Sequence, residues 1–193
     1  MSRLGDFIGR LTGSDERLRI VEFDRIMVPV FGTGLDDEIV STAGRLADAA
    51  LDPGEVAPHI DLIYVIEVPS SKALDDPPDP AAVERGNLAL ARAEQVADEY
   101  ETVEVGSAVV RARKVGEGIV DAAIEREVEM IVMGAEPPSR VRSGARFGGA
   151  GGARPPEIGP VTEYVMRSAP CRVLLTAPPA DPGDGEGVVS GSC

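Results

Sequence analysis

Short apolar runs alternate with amphipathic stretches along most of the chain, and each pair reads as a strand followed by a helix. Residues 25–31, within "DRIMVPVFGTG", form a compact apolar run that ends in Gly32 and Gly34, as a buried strand and its exit loop would. Asp36 or Asp37 can then cap a helix on which Ile39, Val40, Ala43, Leu46, Ala47, Ala50 and Leu51 follow a helical period. "DPGEVAP" breaks it, and "HIDLIYVIEVP" is a second strand stopped by Pro69. After the Pro-rich loop "SSKALDDPPDP", a long helix is predicted from Val83, Gly86, Leu90, Ala93, Val96 or Ala97, and Tyr100. "TVEVGSAVVRAR" is a third strand, and "VGEGIVDAAIERE" a third helix with Ile119, Ala122, Ala123 and Arg126 at its period. "VEMIVMG", "GPVTEYVMRSA" and "PCRVLLTAP" complete the series as strand, helix and strand.

Five strands alternating with four helices predict an α/β fold: a single five-stranded parallel sheet with helices on both faces. Right-handed crossovers leave few topologies. Ligands in such sheets sit at the carboxyl ends of the strands, near the point where strand order reverses. Those ends are Phe31 to Gly34, Glu67, Arg113 and Gly134 onward. The domain is expected over residues 21–178. The preceding segment, 1–20, places Leu4, Phe7, Ile8 and Leu11 at helical spacing. It reads as an amphipathic extension docking on the domain or a partner subunit, rather than as a membrane foot, because one short stripe binds a membrane weakly. Residues 179–193 lack a packable face and read as a flexible tail.

Composition narrows the class further. Aromatics make up 4% and Trp is absent, so Val, Ile, Leu and Ala must build the core, which suits a buried parallel sheet. A formal charge of −14 argues against a nucleic-acid backbone as partner. Lys72 and Lys114 are the only lysines. Excess acid with scarce Lys suits the acidic proteome of a halophile, whose salt screens self-repulsion; a GC-rich genome would also favour Arg. Cys171 and Cys193 form no disulfide framework, and no signal or membrane-spanning pattern is visible, so a cytoplasmic setting is expected.

The familiar chemistries fail on specific residues. "VFGTGLDDE" lacks the third glycine of a dinucleotide fingerprint, and no phosphate-binding G-x-x-x-x-G-K-S/T run occurs. Phe31 and Arg113 stand where a phosphoacceptor site would need acids. His59, the only histidine, enters its strand at the amino end, away from the ligand rim. With one His and two dissimilar Cys there is no metal-ligand cluster. No catalytic residue is assigned, and no enzyme activity is expected.

One stretch remains. Gly134 leaves the fourth strand and Gly159 opens the fourth helix, where unpaired N–H groups and a positive dipole end attract phosphate. Pro160 fits the first helical position but supplies no N–H. Between them lies a Gly-, Pro- and Arg-rich run carrying Arg140, Arg142, Arg146 and Arg154. Two readings stand equal on these residues: a loop that neutralises a polyphosphate, or a solvated surface insertion.

"RIMVPVFGT", "IVMGAE" and "GPVTEYVMRSAPCRVLLTAP" resemble the universal stress protein family over residues 23–178. The resemblance implies a Rossmann-like, adenine nucleotide alpha hydrolase-like domain. It also implies a homodimer formed through the last strand, residues 171–177, and in one branch ATP held against the motif G-x2-G-x9-G-S/T. Carried over, the nucleotide positions are Val30, Phe31, Val65, Met133, Gly134, Gly159, Pro160 and Val161, with Arg140 and Arg142 from the inserted loop 137–158. Three places depart from the pattern. Pro137 stands for the second glycine, Pro160 for the Ser/Thr, and Phe31 for an Asp that touches the nucleotide. Moreover, 24 residues, 135–158, separate Gly134 from Gly159, against 12 in the motif. A stress-response regulator that dimerises and binds a partner, such as a transporter or another regulatory protein, with a modified or lost ATP site, is therefore expected. The alternative is an adenine-nucleotide sensor whose Arg-rich loop covers the phosphates. A slow nucleotide hydrolase would need a base or metal-binding carboxylate that the sequence does not place. No cofactor is required by the residues; ATP is the candidate. Neither nucleic acid nor membrane is an expected partner.

Overall fold

The central strand decides the architecture, because its side chains point alternately to two layers. In the computed structural model, which describes residues 24–50, 57–135 and 159–177, β1 (Arg25–Pro29) sends Ile26 and Val28 to one layer and Met27 to the other. The first layer is closed by α1 (Asp36–Ala50) through Ile39, Val40, Ala43 and Ala47, and by α2 (Pro80–Ala97) through Leu90, Ala93 and Ala97. The second is closed by α3 (Val115–Glu125) through Ile119, Ala122 and Ala123, and by α4 (Pro160–Ser168) through Val165. Both layers are aliphatic, as the composition requires.

The remaining strands are β2 (His59–Glu67), β3 (Glu104–Ala112), β4 (Met130–Gly134) and β5 (Arg172–Thr176). They form one sheet in the order β3-β2-β1-β4-β5, and every pairing is parallel. Strand order reverses at β1, which has β2 on one side and β4 on the other. Such a reversal opens a crevice at the carboxyl rim. The predicted fold class is the observed one.

Boundaries moved where side chains captured the backbone. The first strand ends at Pro29 rather than at residue 31, because the N–H groups of Phe31, Gly32 and Thr33 turn onto the Asp36 carboxylate at 3.2, 2.7 and 2.9 Å. The second helix starts at Pro80, ahead of the first periodic apolar residue, Val83. Asp79 caps it by accepting from the Ala81 N–H at 3.1 Å, and Pro80 fills the first helical position, where no N–H is needed. The segments 1–20, 137–158 and 179–193 lie outside the described residues. Among those described, no helix is long and apolar enough to cross a membrane.

Candidate functional site

The carboxyl rim has two faces, and the chain treats them differently. On the α1/α2 face, the loop after β1 is already occupied by its own anion. The Asp36 carboxylate accepts the three N–H groups named above and the Thr33 hydroxyl at 3.1 Å, and Asp36 is 4% exposed. The backbone donors that could have met a phosphate there are spent.

On the α3/α4 face, two helix starts converge. The helix α3 begins after Lys114, and α4 after Gly159; neither capping residue makes a side-chain hydrogen bond to its helix. Their N–H groups and positive dipole ends therefore face the rim without a local carboxylate acceptor of that kind. Close approach of the two helices depends on Gly116, where an added Cβ would lie 2.9 Å from Tyr164 Cδ1. Between them opens a cleft of about 400 Å³ walled by Glu67, Lys114, Gly116, Pro160, Val161 and Tyr164. Lys114 supplies the cation, drawn loosely by Glu117 at 3.9 Å.

The two glycine junctions meet at the rim. The Thr162 hydroxyl, in the first turn of α4, donates to the Gly134 carbonyl at 3.5 Å, and Thr162 is fully buried. Gly134 also abuts the start of α1, since a Cβ there would sit 2.7 Å from Leu35 Cδ2, just before the helix, and 3.0 Å from Ile39 Cδ1 within it. Phe31, half-buried, packs on the buried cluster of Met27, Ile131 and Met133, as do Val65 and Val161. One aromatic residue thus occupies the layer to which the nucleotide positions belong.

The expected site residues divide accordingly. Pro160 and Val161 line the cleft. Phe31, Val65 and Met133 share the layer beneath it, Met133 with no exposure at all. Val30 stands apart from these: its side chain belongs to the opposite layer, with Ile26, Val28 and Leu90, because an extended chain reverses its side chains at each residue. Gly134 and Gly159 mark the junctions. Arg140 and Arg142 lie outside the described residues.

Two other rim residues take structural roles. Arg113 donates to the carbonyls of Pro69 and Lys72, each at 2.8 Å, and so pins the loop after β2. His59 stands at the amino rim between Asp61 at 3.5 Å and Glu104 at 3.8 Å, as its place in the strand predicts. Lys114, Gly116 and Tyr164 were missed as site residues. The available signal was one of only two lysines standing directly before a predicted helix start.

Cys171, just before β5, is half-buried, and burial pushes its thiol pKa up, partly offset by a hydrogen bond with the Ile131 backbone. The thiolate is the reactive form. In a Cys193→Ser variant, alkylation of Cys171 by iodoacetamide at pH 8 is expected to run at least several-fold slower than that of a free peptide thiol. Equal rates would mean that the thiol is neither buried nor shifted.

The fold and its rim define a doubly wound α/β domain with a crevice at the carboxyl ends of its strands. Sequence comparison makes this specific: the model of the Universal stress protein family matches residues 22–177, and the chain belongs to that family of stress-response proteins. No curated protein matches the chain. Among solved structures, a universal stress protein from Archaeoglobus fulgidus is similar at 15% identity, with a TM-score of 0.58 over 78% of this chain and 96% of that one. A protein from the same organism in complex with dAMP shares 16% identity, with a TM-score of 0.53 over 78% and 95%. A universal stress protein in complex with cAMP shares 16%, with a TM-score of 0.55 over 81% and 98%. At such identities the likeness concerns the fold.

Proposed function

We propose that this chain is a cytoplasmic stress-response regulator without catalytic turnover. It acts by dimerisation and partner binding, and its nucleotide-type cleft has departed from ordinary ATP binding. The observation that carries this reading is Phe31. It sits at the β1 end where the family motif has an acidic residue, and it packs on the apolar layer of Met133 instead of offering a polar group. Pro160, at the start of α4, removes a further donor and hydroxyl. Pro137, in the sequence, replaces a glycine of the motif. Each lost hydrogen bond to a charged group is worth roughly 1.5–3 kcal/mol, so two losses weaken binding by orders of magnitude. For dimerisation, support comes from β5, the edge of the sheet, where Leu174 is exposed. A transporter or another regulatory protein is the class of partner proposed.

Thermal unfolding with 5 mM ATP and Mg²⁺ tests the altered cleft. Binding with a Kd a hundredfold below the ligand concentration would stabilise by about 2.7 kcal/mol and raise Tm by roughly 5–11 °C. The expected rise is under about 1.5 °C, the response of a ligand whose Kd lies above the concentration used. A rise of several degrees would overturn the reading.

A second reading has its own observation. Two helix starts without side-chain caps converge on the cleft beside Lys114, and relatives of the same fold are described in complex with cAMP and dAMP. Under it, the chain is an adenine-nucleotide sensor, with Arg140 and Arg142 covering the phosphates. The ATP-induced rise would then appear, and Arg140→Ala with Arg142→Ala would abolish it.

A further inference from the structure

The helix α2 turns a solvent-facing stripe toward the same rim, on the opposite side of the sheet from the cleft. Arg85, Leu88, Ala89 and Arg92 recur on it at intervals of three and four, which places them on one face. With Phe31 and Tyr64 they wall a groove of about 310 Å³. Its floor is apolar, and Leu88 is 66% exposed over it.

The groove's charges decide what it can take. The Asp36 carboxylate is buried and consumed by its own loop. Asp37 is held by Arg92 Nη2 at 2.6 Å, a hydrogen bond and ion pair that raise the Arg92 pKa further. Arg85 is left: it is exposed and makes no hydrogen bond or ion pair among the described residues. It also walls an adjoining pocket of about 270 Å³ that contains Lys72 and Arg111. Glu67 and Asp79 share that pocket, but Asp79 already accepts the Ala81 N–H. Arg85 is thus the groove's charge without a partner among the described residues; the buried, unpartnered Oδ1 of Asp37 in the groove and Glu67 in the adjoining pocket oppose it.

We propose that this groove binds a small organic anion: a single-ring or aliphatic body laid over Leu88, Ala89 and Tyr64, with one carboxylate or phosphate on Arg85. A guanidinium grips either group through two parallel N–H donors. Apolar side chains share the groove with Thr33, Asp36, Asp37, Arg85 and Arg92, and the volume falls at the lower end of the range of ~300–1,000 Å³ for small-molecule sites. The groove lies on the α1/α2 side of the sheet, and Phe31, which packs on the α3/α4 layer, is the residue it shares with that side.

Titration of the full chain, followed by amide ¹H–¹⁵N shifts, tests it with benzoate and phenyl phosphate as probes. Saturable shifts are expected at Gly32, Thr33, Leu88 and Ala89, with the tighter probe identifying the acid group preferred. Benzyl alcohol and inorganic phosphate, each lacking one half of the ligand, should bind at least about tenfold more weakly. Arg85→Gln should weaken benzoate or phenyl phosphate by about tenfold, and Leu88→Ala by several-fold, both residues being exposed and dispensable for packing. Absence of saturable shifts, unchanged affinity in Arg85→Gln, or an equal response to benzyl alcohol or to phosphate alone would overturn the proposal. Shifts confined to Gly116 and Val161 would instead report the α3/α4 cleft, and would also count against this groove.

Discussion

Replacing Asp36 by alanine is expected to cost about 3–5 kcal/mol of stability, read as a fall in the urea midpoint without a change in slope. A single carboxylate accepts the N–H groups of Phe31, Gly32 and Thr33 and the hydroxyl of Thr33. Removing it leaves three backbone donors in a partly buried loop beside the α2 groove, and each donor left unsatisfied carries a penalty of roughly 1–3 kcal/mol. Water reaching the outer edge of the loop recovers part of that loss, so the three penalties do not simply add. Asp36→Asn keeps an oxygen for the N–H groups and an amide for the Thr33 oxygen, but it lacks the charge. Neutral hydrogen bonds are about half as strong, so this variant should lose only about 2 kcal/mol. With total stabilities of about 5–15 kcal/mol, the two variants are well separated. Equal losses would mean that geometry, not charge, holds the loop; no loss would mean that the loop does not rest on Asp36.

That same carboxylate explains a limit of reading the chain alone. Asp36 or Asp37 was legible as a helix start, because a short acid ahead of an amphipathic period is a capping signal. Its actual partners lie behind it, in the loop after β1, and only the fold of that loop reveals them. The fold class was legible because each layer of the core repeats a strict period. Ile39, Val40, Ala43 and Ala47 on α1, and Ile119, Ala122 and Ala123 on α3, are buried where their spacing placed them. The end of β1 drifted because a polar side chain, Asp36, and not a periodic apolar residue, set it.

The site was legible in outline and obscure in detail for a related reason. Glycine junctions at strand ends are visible as composition, so the meeting of Gly134 with the α4 start could be predicted. Facing of side chains near the end of β1 could not be fixed without knowing where the strand stops; Val30 and Phe31, adjacent in the chain, face opposite layers. Lys114, Gly116 and Tyr164 form their wall only because α3 and α4, separated by β4 and a long connection, approach across the sheet. No local pattern encodes such a meeting. The α2 groove is hidden for the same reason: Arg85 and Phe31 are far apart in the chain and become neighbours only through sheet order.

Gly44→Ala should destabilise the protein by about 1–3 kcal/mol, although alanine is the better helix former by about 1 kcal/mol. On α1, a Cβ at this position would lie 2.4 Å from both Cδ2 and Cε2 of Tyr100. The ring has little freedom to retreat, since the Tyr100 hydroxyl donates to the Ser41 carbonyl at 3.0 Å. Displacing it sacrifices that bond, worth about 0.5–1.5 kcal/mol, and opens poor packing between α1 and the chain that leaves α2. The decisive measurement is a double-mutant cycle with Tyr100→Ala. Once the ring is gone, the added methyl no longer clashes and helix propensity alone remains, so Gly44→Ala should become neutral or stabilising by up to about 1 kcal/mol. The coupling energy should therefore reach about 2 kcal/mol, with the two substitutions less harmful together than their sum. Additive losses would show that α1 shifts as a body rather than yielding at the ring, and the close approach of Gly44 to Tyr100 would then not be what fixes the spacing of the first layer.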